Sequence, residues 1–440
     1  MSWLIKLRQP LSRFWSLLGR FKLLLVFLLS ALLIALPALT QRPVVTLNLL
    51  IQALETSQWT DIIQDFEAAN LGIRLNLVEG PNATDSVENL YTSTFLLGKS
   101  PYDLVYMDVV WTPKFAAAGW LQDLSNQVSP QDLADFFPAD VEAGRYEGGL
   151  YRLPFRTDAA MLFYRTDLLE QVGAQPPNTF ADLIATSKKI QATGAAPWGY
   201  LWQGRQYEGA AAMFVEVLEG FGGFWVNPDN NEIGLDRPEA IKAVDFLRET
   251  ITERISPPGV VTYIEDDVWR FFRSGAAGFM RNWPYAVPLA NAGDSPIRGK
   301  FAIKPMVAAP GGRSGACKGG WGFGISKSSA HPKEAWKAIQ YITSAQTQKN
   351  FTLKTGYLPS RRPLFTDPQI VEKYSYFPDL LQVADKAVLR PPIAQYAQAS
   401  DILQRYLSAA FSGRLSSQEA MQRAARETRA LVGNFQGVAG

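Results

Sequence analysis

The sequence predicts an α/β protein of two lobes, and three observations carry that prediction. At 440 residues the chain exceeds what one hydrophobic core usually encloses. Residues 44–108 alternate apolar runs with amphipathic stretches as strand, helix, strand, helix, strand, the order that builds a parallel sheet. A second alternation of the same kind begins near Leu153. An apolar fraction of 47% and a charged fraction of 19% are those of an ordinary globular chain, without the signature of disorder or of a fibrous repeat.

In chain order, residues 23–36 come first as an apolar run, preceded by Lys6, Arg8, Arg13, Arg20 and Lys22 and closed by Pro37. Residues 1–40 therefore read as a secretory signal peptide. A cut after Ala38 would leave the large Leu36 where a small residue is preferred, so an uncleaved signal anchor in the inner membrane is the alternative. The basic flank stays inside in either case, which puts the body in the periplasm or another extracytoplasmic space. VVTLNLLI (44–51) reads as a buried strand, Trp59–Phe66 as a helix, and IRLNLVEG (73–80) as a second strand. A helix around 84–97 leads to a third strand, YDLVYMD (102–108). Asp108 closes it, at the end where ligands of parallel sheets collect.

In the second region Ala160–Tyr164 is expected as a strand, with helices over Phe180–Thr193 and Pro238–Arg254, the latter capped by Asp236. A helix around Asp266–Arg273 runs into a short strand that opens onto Asn282-Trp283-Pro284. Beyond residue 300, FAIKPMVAAPGG and GGWGFGIS read as strands, and the chain is mainly helical from about 332. No low-complexity linker separates the regions, so the chain is expected to cross between lobes several times, near 149–153, 298–303 and 356–360. That gives a first lobe of 44–150 plus 300–356 and a second of 151–299 plus 357–435.

Composition and motifs exclude several functions. Without the five basic residues of the leader, 38 basic residues face 41 acidic ones, so nothing concentrates positive charge for nucleic acid. One cysteine, Cys317, and one histidine, His331, rule out an intrachain disulfide and argue against a metal site. His331 reads as a solvated residue before a helix. The chain carries no nucleophile elbow, metalloprotease helix or P-loop motif, and no cofactor is implied. The paired acids Asp108 and Asp158 leave a glycoside hydrolase as a rival reading. The simpler reading of acids in a sugar site is that carboxylates accept hydroxyl hydrogen bonds.

Seven segments then share order and spacing with a known family: 102–124, 153–170, 202–216, 279–286, 319–342, 358–365 and 388–404. Through them the chain resembles the extracellular solute-binding proteins (family 1) of carbohydrate ABC importers, within them the trehalose/maltose-binding group. The resemblance implies a two-lobed periplasmic-binding-protein fold of the maltose-binding type (type II), each lobe a mainly parallel sheet flanked by helices, with a ligand cleft between lobes. It implies no catalysis, a monomer, a saccharide ligand and ABC permease subunits as partners. Trehalose, maltose, sucrose and glucosylglycerol remain open as ligands, and a membrane-tethered sugar sensor of the same fold remains an alternative.

The resemblance also implies site residues. Asp108 and Asp158 match carboxylates that grip sugar hydroxyls, with a helix cap as the plainer role for Asp108. Glu55 lies where the family often has a ligand-contacting acid. Trp283 and Trp321 match stacking residues whose indoles suit the C–H face of a pyranose. Gly320 would let the backbone approach the sugar closely. Arg390 matches an arginine that reaches the cleft, and Arg156 stands where relatives carry an aromatic residue. Trp111, Trp202 and Tyr207 serve equally well as cleft lining or as structural residues. Trp120, Trp225 and Trp336 are assigned to packing.

Overall fold

Two β-sheets organise the chain in a computed structural model that describes residues 44–227 and 230–436. The leader assigned to residues 1–40 lies outside the described residues, and no helix among those described is long and apolar enough to cross a membrane. The strands are β1 (Val45–Gln52), β2 (Ile73–Gly80), β3 (Leu104–Asp108), a short hairpin of β4 (Arg145–Tyr146) and β5 (Gly149–Leu150), β6 (Leu153–Ala159), β7 (Met161–Arg165), β8 (Trp198–Leu201), β9 (Ala277–Asn282), β10 (Phe301–Lys304) and β11 (Lys318–Ile325). The first sheet has the order β2-β1-β3-β11-β6 and the second β10-β7-β9-β8. β1 pairs in parallel with β2 and β3, whereas β11 runs against both its neighbours. In the second sheet β8 and β9 are parallel and β7 runs against β9 and β10.

The apolar periodicity becomes structure where it was strongest. Strand β1, the helix Thr60–Ala69, strand β2, the helix Thr84–Leu96 and strand β3 follow in the expected order. Trp59, fully buried before the first helix, anchors the first lobe. Its indole meets Tyr106 and Phe323 edge-on at 5.6 and 5.8 Å and tilts over Phe155 at 5.4 Å. Such rings contribute large buried apolar area and a preferred geometry, and here they fix the strand that carries Tyr106 towards the cleft. In the second lobe the helix Glu208–Gly220 is buried along nearly its whole length.

Three expectations change. Leu153–Ala159 is a full strand of the first sheet, and Phe301–Lys304 belongs to the second, so the expected exchange points near 150 and 300 each fall one strand too early. The chain passes between sheets at Ala160 and again over 305–317. There Ala160 N–H donates to Cys317 O at 3.2 Å, and Lys318 N–H donates to Val388 O at 2.8 Å. The first crossing is a single residue between two strands, and the second carries Pro and Gly like any surface loop, so the sequence shows no seam. Asp236 does not cap the helix Pro238–Thr252. Arg237 holds that position without a side-chain bond to the helix end, and Asp236 instead accepts Arg429 at 2.6 and 2.8 Å.

Candidate functional site

Strand register assembles one wall of the site. Trp321 on β11 lies opposite Asp108 of β3 on one side and Arg156 of β6 on the other, and Gly319 lies opposite Asp158. Directly opposed residues share a face of a sheet, so these side chains form a row at the carboxyl ends of β3 and β6. Glu55 joins it from the turn Ala53–Gln58 that follows β1. The facing wall comes from the second lobe: Glu208 and Glu265 at the first positions of two helices, and Trp283 and Tyr285 just past β9. The walls enclose a cavity of about 90 Å³, lined also by Gly320, Tyr357 and Arg390. Glu55, Asp108, Arg156, Asp158, Trp283, Gly320, Trp321 and Arg390 all line it.

Two guanidinium groups are built into these walls. Arg156 donates from Nε to Tyr106 Oη at 2.9 Å, from Nη1 to Asp158 Oδ2 at 3.3 Å, and from Nη2 to Glu55 Oε1. Its plane lies over the rings of Tyr357 at 4.7 Å and Trp321 at 5.6 Å. Arg390 joins the lobes, donating to Asp108 Oδ1 at 2.8 Å and to Glu208 Oε1 at 2.5 Å. Glu208 also accepts Tyr396 Oη and Ser400 Oγ, so the bridge is fixed in the second lobe and reaches across to the first. Trp283 is held from behind, its ring 4.1 Å from the Arg281 guanidinium and its indole N–H on Glu265 Oε1 at 3.3 Å.

The glycines act differently from one another. A Cβ on Gly319 would sit 3.1 Å from both Asp158 Cβ and Trp283 Cζ3, so Gly319 is what lets this indole close on the first lobe. A Cβ on Gly320 would meet Arg156 O at 2.8 Å, and its φ of +147° is one that other residues rarely adopt. The close approach at Gly320 is thus to the backbone of β6.

Residues 52–349 match the family of bacterial extracellular solute-binding proteins. The chain belongs to that family. A probable ABC transporter-binding protein of Deinococcus radiodurans is 32% identical over 353 residues, 79% of this chain and 83% of the relative. A maltose-bound solved structure from T. maritima is 34% identical, with a TM-score of 0.85 over 88% of this chain and all of the other. An ABC transporter solute-binding protein from Thermotoga lettingae TMO, bound with α-D-tagatose, is 26% identical, with a TM-score of 0.78 over 88% of this chain and 99% of the other.

In this solute-binding protein the cleft walls carry Glu55, Asp108, Asp158, Glu208 and Glu265 against two arginines, both already paired. Burial drives the Asp158 carboxyl up to about 7, against the opposing pull of Arg156 and with a further push from Glu55. Burial likewise raises Glu208, which Arg390 opposes. Asp158 Oδ1 is buried without a hydrogen-bond partner among the described residues. No group of acids, histidine and cysteine among those residues could hold a metal.

Of the three residues left between roles, none lines the cavity. Trp111 packs edge-on against Trp321 at 5.4 Å, and Trp202 donates its indole N–H to Thr250 and Ser256 at 3.1 and 3.0 Å. Tyr207 stands behind Glu265 and donates to its Oε2 at 2.6 Å. Sequence reasoning missed Glu208, Glu265, Tyr285 and Tyr357. Glu208 had a signal, an acid opening an otherwise apolar helix. Glu265 had none, because Glu265-Asp266-Asp267 reads as the ordinary acidic first turn of a helix.

Proposed function

We propose that the chain is the ligand-capturing receptor of an ABC-type sugar importer, binding a small neutral saccharide between its lobes and passing it to membrane permease subunits without catalysis. The observation that carries this reading is the pairing of Asp158 Oδ1, a buried acceptor without a partner among the described residues, with the half-buried indole of Trp283 across the same cavity. A pyranose supplies both complements, a hydroxyl donor for the carboxylate and a C–H face for the ring. The paired state of Arg156 and Arg390 speaks against an anionic solute, since any anion would face the remaining acids. The maltose and tagatose bound to similar proteins are both neutral sugars, which agrees.

In this reading the first lobe comprises 44–159 plus 318–356, the second 161–316 plus 357–435, and ligand contacts from both favour the closed form. The location is extracytoplasmic, with the leader either removed or kept as an anchor. The raised Asp158 carboxyl is the one feature that suits a glycosidase acid. Its neighbours Glu55 and Asp108 are held by arginines and offer no free carboxylate partner.

The test is a titration of the purified protein with mono- and disaccharides, polyols and amino acids, followed by tryptophan fluorescence and melting temperature. One or two neutral sugars should saturate the signal and add about 2.7 kcal/mol of stability at a hundredfold excess over Kd. Asp158→Ala and Trp283→Ala should each weaken binding, the former by about 1.5–3 kcal/mol. Unchanged affinity in both variants, or release of monosaccharide from a bound disaccharide, would refute the reading.

A further inference from the structure

The cleft is narrow for a sugar receptor, and one of its lining side chains, Arg156, is fixed in place on every side. The cavity of about 90 Å³ lies well below the ~300–1,000 Å³ of sites that hold drug-sized ligands. Arg156 is 5% exposed, and all three of its guanidinium nitrogens are bonded to other side chains. It also lies over Trp321 and Tyr357, so each ring already meets a protein cation. Of the large aromatic side chains in the walls, Trp283 alone is held from behind by a cation, Arg281, with its half-buried indole left to the cavity.

From this we infer that Arg156 sets ligand size, filling the space beside Trp321 and Tyr357 and restricting the receptor to one pyranose ring, free or carrying a small acyclic aglycone. The inference rests on the saccharide reading above and deepens it. The restraint is rigid. Moving Arg156 aside would leave Glu55 and Asp158 as facing buried carboxylates without a cation, a costly arrangement. A second ring therefore cannot displace the guanidinium cheaply, and selection against disaccharides comes from that cost as well as from volume.

The test compares Kd for D-glucose, its methyl glycosides and glucosylglycerol with Kd for trehalose, maltose and sucrose. Arg156→Ser alone strands two carboxylates and risks misfolding, so it is paired with Glu55→Gln, and the melting temperature reports folding of the double variant. The unaltered protein should prefer a one-ring ligand by at least about tenfold. In the double variant, at least one disaccharide should gain about tenfold or more relative to the one-ring ligand. Equal or tighter disaccharide binding by the unaltered protein overturns the inference and leaves the saccharide reading standing. A folded double variant with unchanged selectivity also overturns it. No binding of any of these sugars by the unaltered protein removes the saccharide reading and the inference with it.

Discussion

At the scale of a single residue, Asp158 joins strand register to burial and to the proposed binding. It lies on β6 opposite Gly319, faces Arg156, and leaves Oδ1 without a partner in the cleft. Because burial lifts its carboxyl from an ordinary 3.8 to about 7, the native chain keeps a proton that the unfolded chain releases. The contribution of Asp158 to stability is therefore complete below about pH 4 and is lost as pH rises through about 7. A sugar hydroxyl donating to Oδ1 favours the charged form, so ligand affinity should rise over the same upper range. Calorimetric titration between pH 6 and 8 should show this rise, and Asp158→Asn should flatten it. A steep rise that survives in Asp158→Asn would place the titrating group elsewhere. At this scale, residues at strand ends were legible in the sequence, as Asp108, Asp158 and Trp283 illustrate. Glu265, Tyr285 and Tyr357 were not, because what makes an ordinary first-turn acid or a loop tyrosine part of a site is the lobe facing it.

At the scale of elements, the site depends on how β11 fits between β3 and β6. The register between β11 and β6 shifts between Trp321 and Gly322, so Trp321 pairs with Arg156 and Gly322 with Pro154. Gly320, just before this irregularity, has a φ of +147°, and a Cβ on it would meet Arg156 O at 2.8 Å. Gly320→Ala should therefore destabilise the protein by about 1–3 kcal/mol through backbone strain, with a further loss of sugar affinity as Trp321 and Arg156 shift. Chemical denaturation measures the first effect, and an unchanged midpoint would refute the role given to Gly320. The run GGWGFGIS announced a strand, yet nothing in it announced the bulge. Strand β6 was hidden for a related reason. LPFRTDA carries Arg156 and Asp158 in a strand buried at every position, so polar residues that normally mark exposed backbone here mark the cleft.

Across the whole molecule, the chain passes from one sheet to the other at Ala160 and over 305–317, the second passage braced by backbone bonds between Val388 and both Ala316 and Lys318, while Arg390 ties Asp108 of one lobe to Glu208 of the other. The two-lobed α/β class was legible from length and alternation. The crossing points were not, because the first is the single residue Ala160 between two strands and the second, over 305–317, reads as an ordinary loop. If ligand holds these lobes together, small-angle X-ray scattering with and without the sugar selected by titration reads the change of shape. The radius of gyration should fall on saturation, and that change should be lost in Arg390→Ala even at sugar concentrations that still saturate the variant. Saturable binding by the unaltered protein with no change in the radius would contradict capture by lobe closure.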